Sequence, residues 1–351
     1  MRRLSACLIT VLVLLAGCSG PQLEFSVSEG GVAKAPAESN AQKRHFRGPV
    51  RSVRIESAQM EKRSDGWAEG DRCLDEQTEF NKDGKMTRRT LYSKKGKPTS
   101  ECVWRYDARG KLLSEDQYLG NGDLHQRHHH NYYVNGNMSE QLTFSSDGRL
   151  LEREMFSYDD HGNMIGRGVY GPNGELVMVQ TWQYDSGNRM IEEEERQPYG
   201  IGHRETYSYD ADGRKTESRF HGPYGVPSER VTHSYDDKGR THAESTYDTE
   251  GNRMTELVYK DDLLTSHRLD SPEGVAKSTF AYDSNGETTE RVFHRGDSKE
   301  FYYKWSAQRE YDSHGNWIKE TSIGLGSPEA PDAKDPLKET RRVIYRQIEY
   351  Y

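Results

Sequence analysis

Four histidines close together form the densest group of metal-binding side chains in the sequence. They are His125, His128, His129 and His130. Side chains alternate along a β-strand, so His128 and His130 would share one face while His129 lies on the other. Two imidazoles on one face could bind a metal ion. No cysteine lies nearby and no third ligand is evident, so we expect no metal site and a packing role for His130.

Catalytic groups cannot be selected from the spacing of the other reactive residues. No Ser–His–Asp or Cys–His arrangement has an interpretable spacing, and the 57 acidic residues are too many to single out a pair. The short "GIGH" and "GLGS" stretches lack the strand and helix that a phosphate loop needs. A net charge of -8 leaves no basic surplus for phosphates. We therefore expect no cofactor, no nucleic-acid partner and no enzyme activity.

The N-terminal stretch "MRRLSACLITVLVLLAGCSG" has a basic start, a short apolar run and small residues before Cys18. The run is too short to span a membrane comfortably and fits an export signal. Residues 15–18, "LAGC", resemble the lipobox of bacterial lipoproteins. The resemblance implies removal of residues 1–17 and lipidation of Cys18, which anchors the chain to a membrane. Ser19 resembles sequences sorted to the outer rather than the inner membrane. An ordinary secretory signal that contains a cysteine is the alternative.

Residues 18–44 comprise this cysteine and a stretch rich in Ser, Gly, Ala, Pro and Glu without a stable period. That composition is typical of a flexible tether. The folded domain would then span residues 45–351.

Cys73 and Cys102 are the remaining thiols once Cys7 leaves with the signal and Cys18 takes the lipid. An oxidising compartment favours a disulfide between them. The turn positions, however, place them on strands with one strand between, about 9–10 Å apart, whereas a disulfide needs Cα atoms within about 7 Å. Both states stay open.

The elements that must position all these groups are predicted by a regular series of glycines. Gaps of 12 and 14 residues alternate through positions 84, 96, 110, 122, 136, 148, 162 and 174, which gives a period of 26 residues. A fixed period of this size indicates repeated supersecondary units. "YDSGNRM" is one residue short in this pattern, and "YKDDLLTSHRLDSPEGVA" lacks a glycine at the expected place.

An aromatic residue precedes most of these glycines by four positions, and aspartate often follows the ring. Aspartate at the first position of a type I turn accepts backbone N–H groups, and glycine takes the left-handed fourth position. We therefore interpret the pattern as a hairpin turn and its members as structural. The repeat residues are Tyr106 and Gly110, Tyr132 and Gly136, Tyr158 and Gly162, Tyr209 and Gly213, Tyr235 and Gly239, Tyr282 and Gly286, and Tyr311 and Gly315.

Pairing across each turn predicts one aromatic face. Tyr106 should lie opposite Leu112, and Tyr311 opposite Trp317; positions two before the tyrosines, such as Trp104 and Trp182, share that face. Because the gaps between turns are even, all the rings should lie on the same side of the sheet. The fold class is therefore all-β: an antiparallel meander of about 18–20 strands in 26-residue double-hairpin repeats. Such a sheet should curl into an open barrel or shell, with two stacked sheets as the alternative.

The stretches "RYDARGKL", "FSYDDHGNMI", "YSYDADGRKT", "HSYDDKGRTH" and "EYDSHGNWIKE" resemble the YD-repeat family of rearrangement-hotspot and teneurin-type proteins. The resemblance covers about residues 72–320. The resemblance implies a spiralling β-sheet, and proteins of this family are often described as carbohydrate-binding. The largest members enclose toxic cargo, but this chain is far shorter and lacks their toxin segment.

Together these patterns predict a non-enzymatic, lipid-anchored envelope protein that offers a binding or scaffolding surface to a glycan or protein. An envelope glycan hydrolase with carboxylates inside the curled sheet is the first alternative. An immunity protein for a neighbouring toxin is the second.

Overall fold

The computed structural model describes residues 40–198, 200–272, 274–295, 301–326 and 338–351. These residues form one short helix, α1 (Asn40–Lys43), a 3₁₀ turn (Pro223–Gly225), and strands joined by turns. The predicted signal peptide and Cys18 lie outside the described residues. No helix in the described part is long and apolar enough to cross a membrane.

The strands, in chain order, cover most of the described chain. They are β1 (Val50–Arg63), β2 (Gly66–Glu69), β3 (Cys73–Phe80), β4 (Met86–Tyr92), β5 (Pro98–Tyr106), β6 (Leu112–Leu119), β7 (Leu124–Tyr132), β8 (Met138–Ser145), β9 (Leu150–Tyr158), β10 (Met164–Tyr170), β11 (Leu176–Tyr184), β12 (Met190–Gln197), β13 (Gly200–Tyr209), β14 (Lys215–His221), β15 (Pro227–Tyr235), β16 (Thr241–Tyr247), β17 (Arg253–Lys260), β18 (Leu263–Ser271), β19 (Gly274–Tyr282), β20 (Thr288–Arg295), β21 (Phe301–Tyr311), β22 (Trp317–Gly326) and β23 (Glu339–Tyr350).

The sheet is an antiparallel meander that closes on itself. Consecutive strands pair from β3 to β23, and β1 pairs with β23 on one side and with β3 on the other. The ring therefore contains 22 strands, and β2 forms a separate hairpin with β1. The predicted all-β meander is confirmed, although the strand number exceeds the expected 18–20. Closure leaves the ring without a free edge strand.

The turn after β5 shows how the repeat sequence folds. Asp107 Oδ1 accepts hydrogen bonds from the backbone N–H groups of Arg109 and Lys111, each at 2.8 Å. Gly110 donates its N–H to the carbonyl of Asp107 and has a φ of 76°, a conformation that costs residues with a Cβ about 1–2 kcal/mol. The glycines of the other predicted repeat turns also have positive φ: Gly136, Gly162, Gly213, Gly239, Gly286 and Gly315.

The breaks in the glycine series are turns of other kinds. In "YDSGNRM" the turn is not shortened, because Asn188 takes the left-handed position with a φ of 64° and donates to Asp185. Asparagine tolerates this conformation better than most residues. Between β17 and β18, Asp261 and Asp262 both have positive φ and form a tight two-residue turn. These substitutions preserve the meander where the glycine pattern fails.

The predicted pairs across the turns are confirmed. They are Phe80–Met86, Tyr106–Leu112, Tyr118–Leu124, Tyr132–Met138, Phe144–Leu150, Tyr158–Met164, Tyr170–Leu176 and Tyr311–Trp317. The turns that follow the odd-numbered strands β3 to β21 lie together at one end of the barrel, which we call the tyrosine rim.

The rings at the two ends of the barrel face opposite sides of the sheet, so the prediction of a single aromatic face is wrong. After the β5–β6 turn, Arg105 pairs with Ser114, which leaves Leu113 as an extra residue. An extra residue of this kind reverses the alternation of side chains. Tyr106 at the tyrosine rim therefore points inward, whereas Tyr118 at the far end points outward. The outward rings are Tyr92, Tyr118, Phe144 and Tyr170.

The N-terminal segment, residues 40–48, seals one part of the tyrosine rim. The N–H of Ala41 donates to Gly84 O at 3.0 Å, and Asn316 Oδ1 accepts the N–H of Arg47 at 2.7 Å. Phe46 packs edge to face on Phe80, with ring centroids 6.0 Å apart. Residues 40–44, which the sequence assigns to the tether, are thus part of the folded domain.

The candidate Cys73–Cys102 disulfide is not formed. Cys73 is a free thiol, and its Sγ donates a hydrogen bond to Lys94 O at 3.2 Å. Strand β4 lies between the two cysteine-bearing strands, so they are separated by two strand spacings of about 4.8 Å each, beyond the reach of a disulfide. Cys102 lies in the buried core cluster beside Trp104.

The outer face of the barrel carries ion pairs. Asp116 is fully buried beneath Arg105 and Arg127, whose guanidinium nitrogens lie 2.6 Å from its two carboxylate oxygens. Arg153 and Glu140 form a similar outer pair at 2.5 Å. Paired charges of this kind are typical of a surface in contact with water.

Candidate binding site on the inner wall of the barrel

The inner wall combines half-buried aromatic rings with hydrogen-bonded carboxylates. Trp182, on β11, donates its indole N–H to Glu193 on β12 at 3.1 Å. The same arrangement recurs at Trp104, which donates to Glu115 at 2.9 Å. In each case the carboxylate is held by a neighbour on the adjacent strand, so its position is fixed before any ligand arrives.

An acidic cluster of Glu193, Glu195, His203 and Glu205 occupies the inner faces of β12 and β13. Glu193 lies directly opposite Glu205, and Glu195 opposite His203, in the strand register. His203 Nε2 is 3.4 Å from Glu193 Oε1, and its Nδ1 is 3.8 Å from Glu195 Oε2. Directly opposed side chains in antiparallel strands have Cβ atoms about 5 Å apart. The cluster therefore brings several acceptor oxygens into one small area.

Burial changes the protonation of this cluster. Burial raises the pKa of the Glu205 carboxyl, and the negative charge of Glu193 also raises it. Hydrogen bonds from Tyr207 and Ser218 lower this pKa, but burial outweighs them. Burial strongly raises the pKa of Tyr207, and the carboxylates of Glu205 and Glu193 raise it further. Glu205 can therefore keep a proton at a pH at which ordinary glutamates are ionised. The cluster offers both hydrogen-bond donors and acceptors.

A second group of the same kind follows on β15 to β17. His233 Nδ1 lies 4.0 Å from Glu244 Oε1, and burial lowers the pKa of His233 to about 4. Burial raises the pKa of Glu244, and this effect outweighs a hydrogen bond from Tyr259 that lowers it. His233 is therefore a neutral imidazole at pH 7, and its buried Nε2 has no hydrogen-bond partner in the described structure.

Most of the repeat tyrosines make a hydrogen bond to the neighbouring hairpin. Their hydroxyl groups reach the backbone at the start of the preceding strand over 2.5–2.9 Å. These bonds are Tyr106–Met86, Tyr132–Leu112, Tyr184–Met164, Tyr209–Met190, Tyr235–Lys215 and Tyr282–Leu264. Tyr158 instead packs edge to face on Tyr133, and Tyr311 donates to the Asp283 carboxylate. Each hairpin is thereby tied to its neighbour.

Histidines 128 and 130 share the inner face, as predicted. His128 Nδ1 is 3.0 Å from Thr143 Oγ1. His130 is buried, neither of its ring nitrogens has a hydrogen-bond partner among the described residues, and burial lowers its pKa to about 4. Within the described ranges no group of three or more His, Cys, Asp or Glu side chains could hold a metal ion.

Sequence reasoning missed the acidic cluster. A charge run such as "IEEEER" is typical of a solvated face or edge, but alternate glutamates of β12 point inward, and Glu193 lies beside Trp182. One sequence pattern could have indicated the pairing of ring and carboxylate. In this pattern a tyrosine follows a tryptophan by two residues, and a glutamate follows the same tryptophan by eleven. It occurs at Trp104 with Glu115 and at Trp182 with Glu193.

No protein-family model matches this chain, and no curated protein matches it. Among solved structures, the chain is similar to the Photorhabdus luminescens Tc holotoxin pore, at 12% identity and a TM-score of 0.34 over 78% of this chain. It is also similar to a TcdB2–TccC3 complex without its hypervariable C-terminal region, at 11% identity and a TM-score of 0.28 over 82% of this chain. The chain spans 19% of the length of each of these toxin chains.

A porin-like protein from Bacteroides uniformis is similar at 10% identity and a TM-score of 0.28, over 86% of this chain and 98% of that one. Similarities at this level do not assign the chain to a family, and they carry no argument about its function.

Proposed function

We propose that the chain is a non-enzymatic, lipid-anchored binding protein of the bacterial cell envelope whose inner wall binds a glycan. Supporting this, partly exposed rings such as Trp182 and Tyr207 stand beside the carboxylates of Glu193 and Glu205. Flat apolar rings can pack against sugar rings, while fixed carboxylates accept hydrogen bonds from sugar hydroxyl groups. The pairing of ring and carboxylate at this cluster is the observation that carries the proposal.

Replacing Trp182 with alanine should weaken glycan binding about tenfold or more, since a buried aromatic anchor typically contributes more than 1 kcal/mol. Isothermal titration of the purified chain with soluble envelope oligosaccharides measures the change. Trp67→Ala is the matched control, because Trp67 lies on the β1–β2 hairpin outside the ring. Equal affinity of the Trp182→Ala and parent proteins would contradict binding at the acidic cluster.

A glycan hydrolase is the second candidate, and the Glu193–Glu205 pair is the observation that favours it. Glycosidases use two carboxyl groups, one of which keeps its proton because its pKa is raised. Glu205 has such a raised pKa, chiefly because it is buried, and it lies directly opposite Glu193. If the bound oligosaccharide is cleaved, as measured by newly formed reducing ends, and Glu205→Gln abolishes the cleavage, the chain is an enzyme. A non-enzymatic binding protein returns the glycan unchanged.

The proposed anchor is tested by Cys18→Ala. Without the cysteine no lipid can be attached, so the variant should appear in the soluble fraction after cell fractionation, whereas the parent chain should sediment with the outer membrane. A Ser19→Ala variant keeps the lipidated cysteine and serves as the control for membrane association. A Cys18→Ala protein that still sediments with membranes would contradict lipid anchoring.

A further inference from the structure

A cavity of about 300 Å³ lies at the tyrosine rim, between the N-terminal segment and the turns that follow β19 and β21. We call it the rim cavity. Its wall includes Phe46 and Arg47 from the N-terminal segment, Glu287, Trp317, and Arg346 from β23. It is separate from the acidic cluster on β12 and β13, so ligand binding in the rim cavity is independent of the proposed glycan site.

Arg346 is the unusual group in this cavity. Its guanidinium stacks over Trp317, with the central carbon 3.3 Å from the ring centroid, and over Phe46 at 5.2 Å. Its Nε is buried and has no hydrogen-bond partner among the described residues. Burial lowers the pKa of Arg346 to about 10, so it remains a cation at pH 7. The negative charge of Glu287, which lines the same cavity, raises this pKa and offsets only part of the effect of burial.

Two carboxylates near Arg346 are held by other arginines. Glu320 pairs with Arg309 at 2.6 Å in a buried ion pair. Glu76 pairs with Arg44 at 2.6 Å, and a second arginine, Arg89, lies 2.8 Å from its other oxygen. Neither carboxylate is therefore available to neutralise Arg346.

The side chains that line the cavity include more basic than acidic groups. Arg346 and Arg47 are two permanent cations, and Glu287 is the one carboxylate among the described residues that line the cavity. Arg47 reaches Asn285 Oδ1, a neutral partner, at 3.4 Å through one terminal nitrogen. Guanidinium groups match the geometry of carboxylate and phosphate oxygens, and a partly desolvated site strengthens that attraction.

We propose that the rim cavity is a binding site for an oxyanion, the carboxylate or phosphate group of a small ligand, held by Arg346 and Arg47. Trp317 and Phe46 hold the Arg346 guanidinium in a fixed plane, so little side-chain entropy is lost on binding. Since the cavity is small and open at the rim, it accepts one such anionic group together with the atoms bonded next to it, while the rest of the ligand stays outside. Ligand binding adds a negative charge beside Arg346 to that of Glu287.

The test is isothermal titration of the full-length chain with inorganic phosphate and, separately, with glucuronate, at constant ionic strength. We expect saturable binding of one anion per chain, and the anion that binds more tightly identifies the phosphate or the carboxylate source. Arg346→Gln should weaken that binding about tenfold or more, because it removes a charge-assisted hydrogen bond in a partly buried site. Arg346→Lys should give an intermediate affinity, since lysine keeps the charge but loses the planar fork.

Arg219→Gln is the matched control, because Arg219 is an exposed arginine of the outer face paired with Glu217, and it should leave binding unchanged. If Arg346→Gln does not fold, as judged by circular dichroism, Arg47→Gln replaces it and should weaken binding about threefold or more. Absence of saturable binding to the parent chain, or equal affinity of a folded Arg346→Gln or Arg47→Gln variant, overturns the proposal.

Discussion

Replacing Glu76 with glutamine should lower the free energy of unfolding at pH 7 by about 3–5 kcal/mol, the usual cost of removing one partner from a buried ion pair. Glu76 is 8% exposed and joins three parts of the barrel. Its oxygens accept hydrogen bonds from Arg44 of the N-terminal segment at 2.6 Å, from Arg89 of β4 at 2.8 Å, and from Thr78 at 2.7 Å. The glutamine variant leaves both arginines without a counter-charge.

The same carboxylate makes the stability depend on pH. Burial alone would raise the pKa of Glu76, but the attraction of Arg44 and the hydrogen bonds from Arg89 and Thr78 outweigh it and lower the pKa to about 2. A group with a depressed folded-state pKa stabilises the protein above its unfolded-state pKa and loses that contribution as the pH falls. The advantage of the parent chain over Glu76→Gln should therefore shrink from about pH 4.5 to about pH 2.

Urea denaturation at pH 7, followed by circular dichroism, measures the first effect, and a series down to pH 3 measures the second. Glu61→Gln is the matched control, since its exposed pair with Arg63 spans 3.5 Å and should contribute well under 1 kcal/mol. A Glu76→Gln protein as stable as the parent at pH 7 would mean that the buried carboxylate is dispensable for packing of the N-terminal segment.

Local turn chemistry explains why so much of the fold could be predicted from the sequence. Asp107 and Gly110 determine their turn through contacts that span four residues, and such contacts can be recognised in a single sequence. The pairing of Tyr106 with Leu112 follows directly from the turn. Closure between β1 and β23 could not be predicted in this way, because it joins residues about 290 positions apart through backbone hydrogen bonds that any sequence can form.

The error about the aromatic face has a specific physical cause. The extra residue after the β5–β6 turn is Leu113, an ordinary strand residue that carries no sign of its irregular position. One such residue moves every following side chain to the other face. Pairing on each side of a turn was therefore predictable, whereas the direction of Tyr118, at the other end of β6, was not.

The inner-wall site was hidden for a related reason. Acidic residues are so common in this chain that composition alone cannot separate Glu193 and Glu205 from the solvated glutamates. Their proximity depends on the register between β12 and β13, and the raised pKa of Glu205 depends on burial inside the closed ring. The rim cavity likewise requires Arg346, near the end of the chain, to meet Phe46 near the start of the described part.

Phe46→Ala should lower the free energy of unfolding by about 3–5 kcal/mol, the usual cost of truncating a buried phenylalanine to alanine. The Phe46 ring is 3% exposed and packs on Phe80. Arg44 and Arg346 lie over the same ring at 5.9 and 5.2 Å. Its loss removes the apolar contact that holds the N-terminal segment in the rim, and it also removes one wall of the rim cavity.

Two measurements separate these consequences. Urea denaturation should give the loss of stability, and limited proteolysis should cut the N-terminal segment of Phe46→Ala faster than that of the parent chain, because a released segment exposes its backbone. Val134→Ala is the matched control: Val134 is fully exposed, at 106%, and its truncation should change the stability by less than about 0.5 kcal/mol.

If Phe46→Ala keeps the parent stability and protease resistance, the segment is held by the hydrogen bonds of Ala41, Arg44 and Arg47 instead, and the apolar contact is secondary. If both fall while Glu76→Gln remains stable, the ring, and not the ion pair, is what fastens residues 40–48 to the barrel.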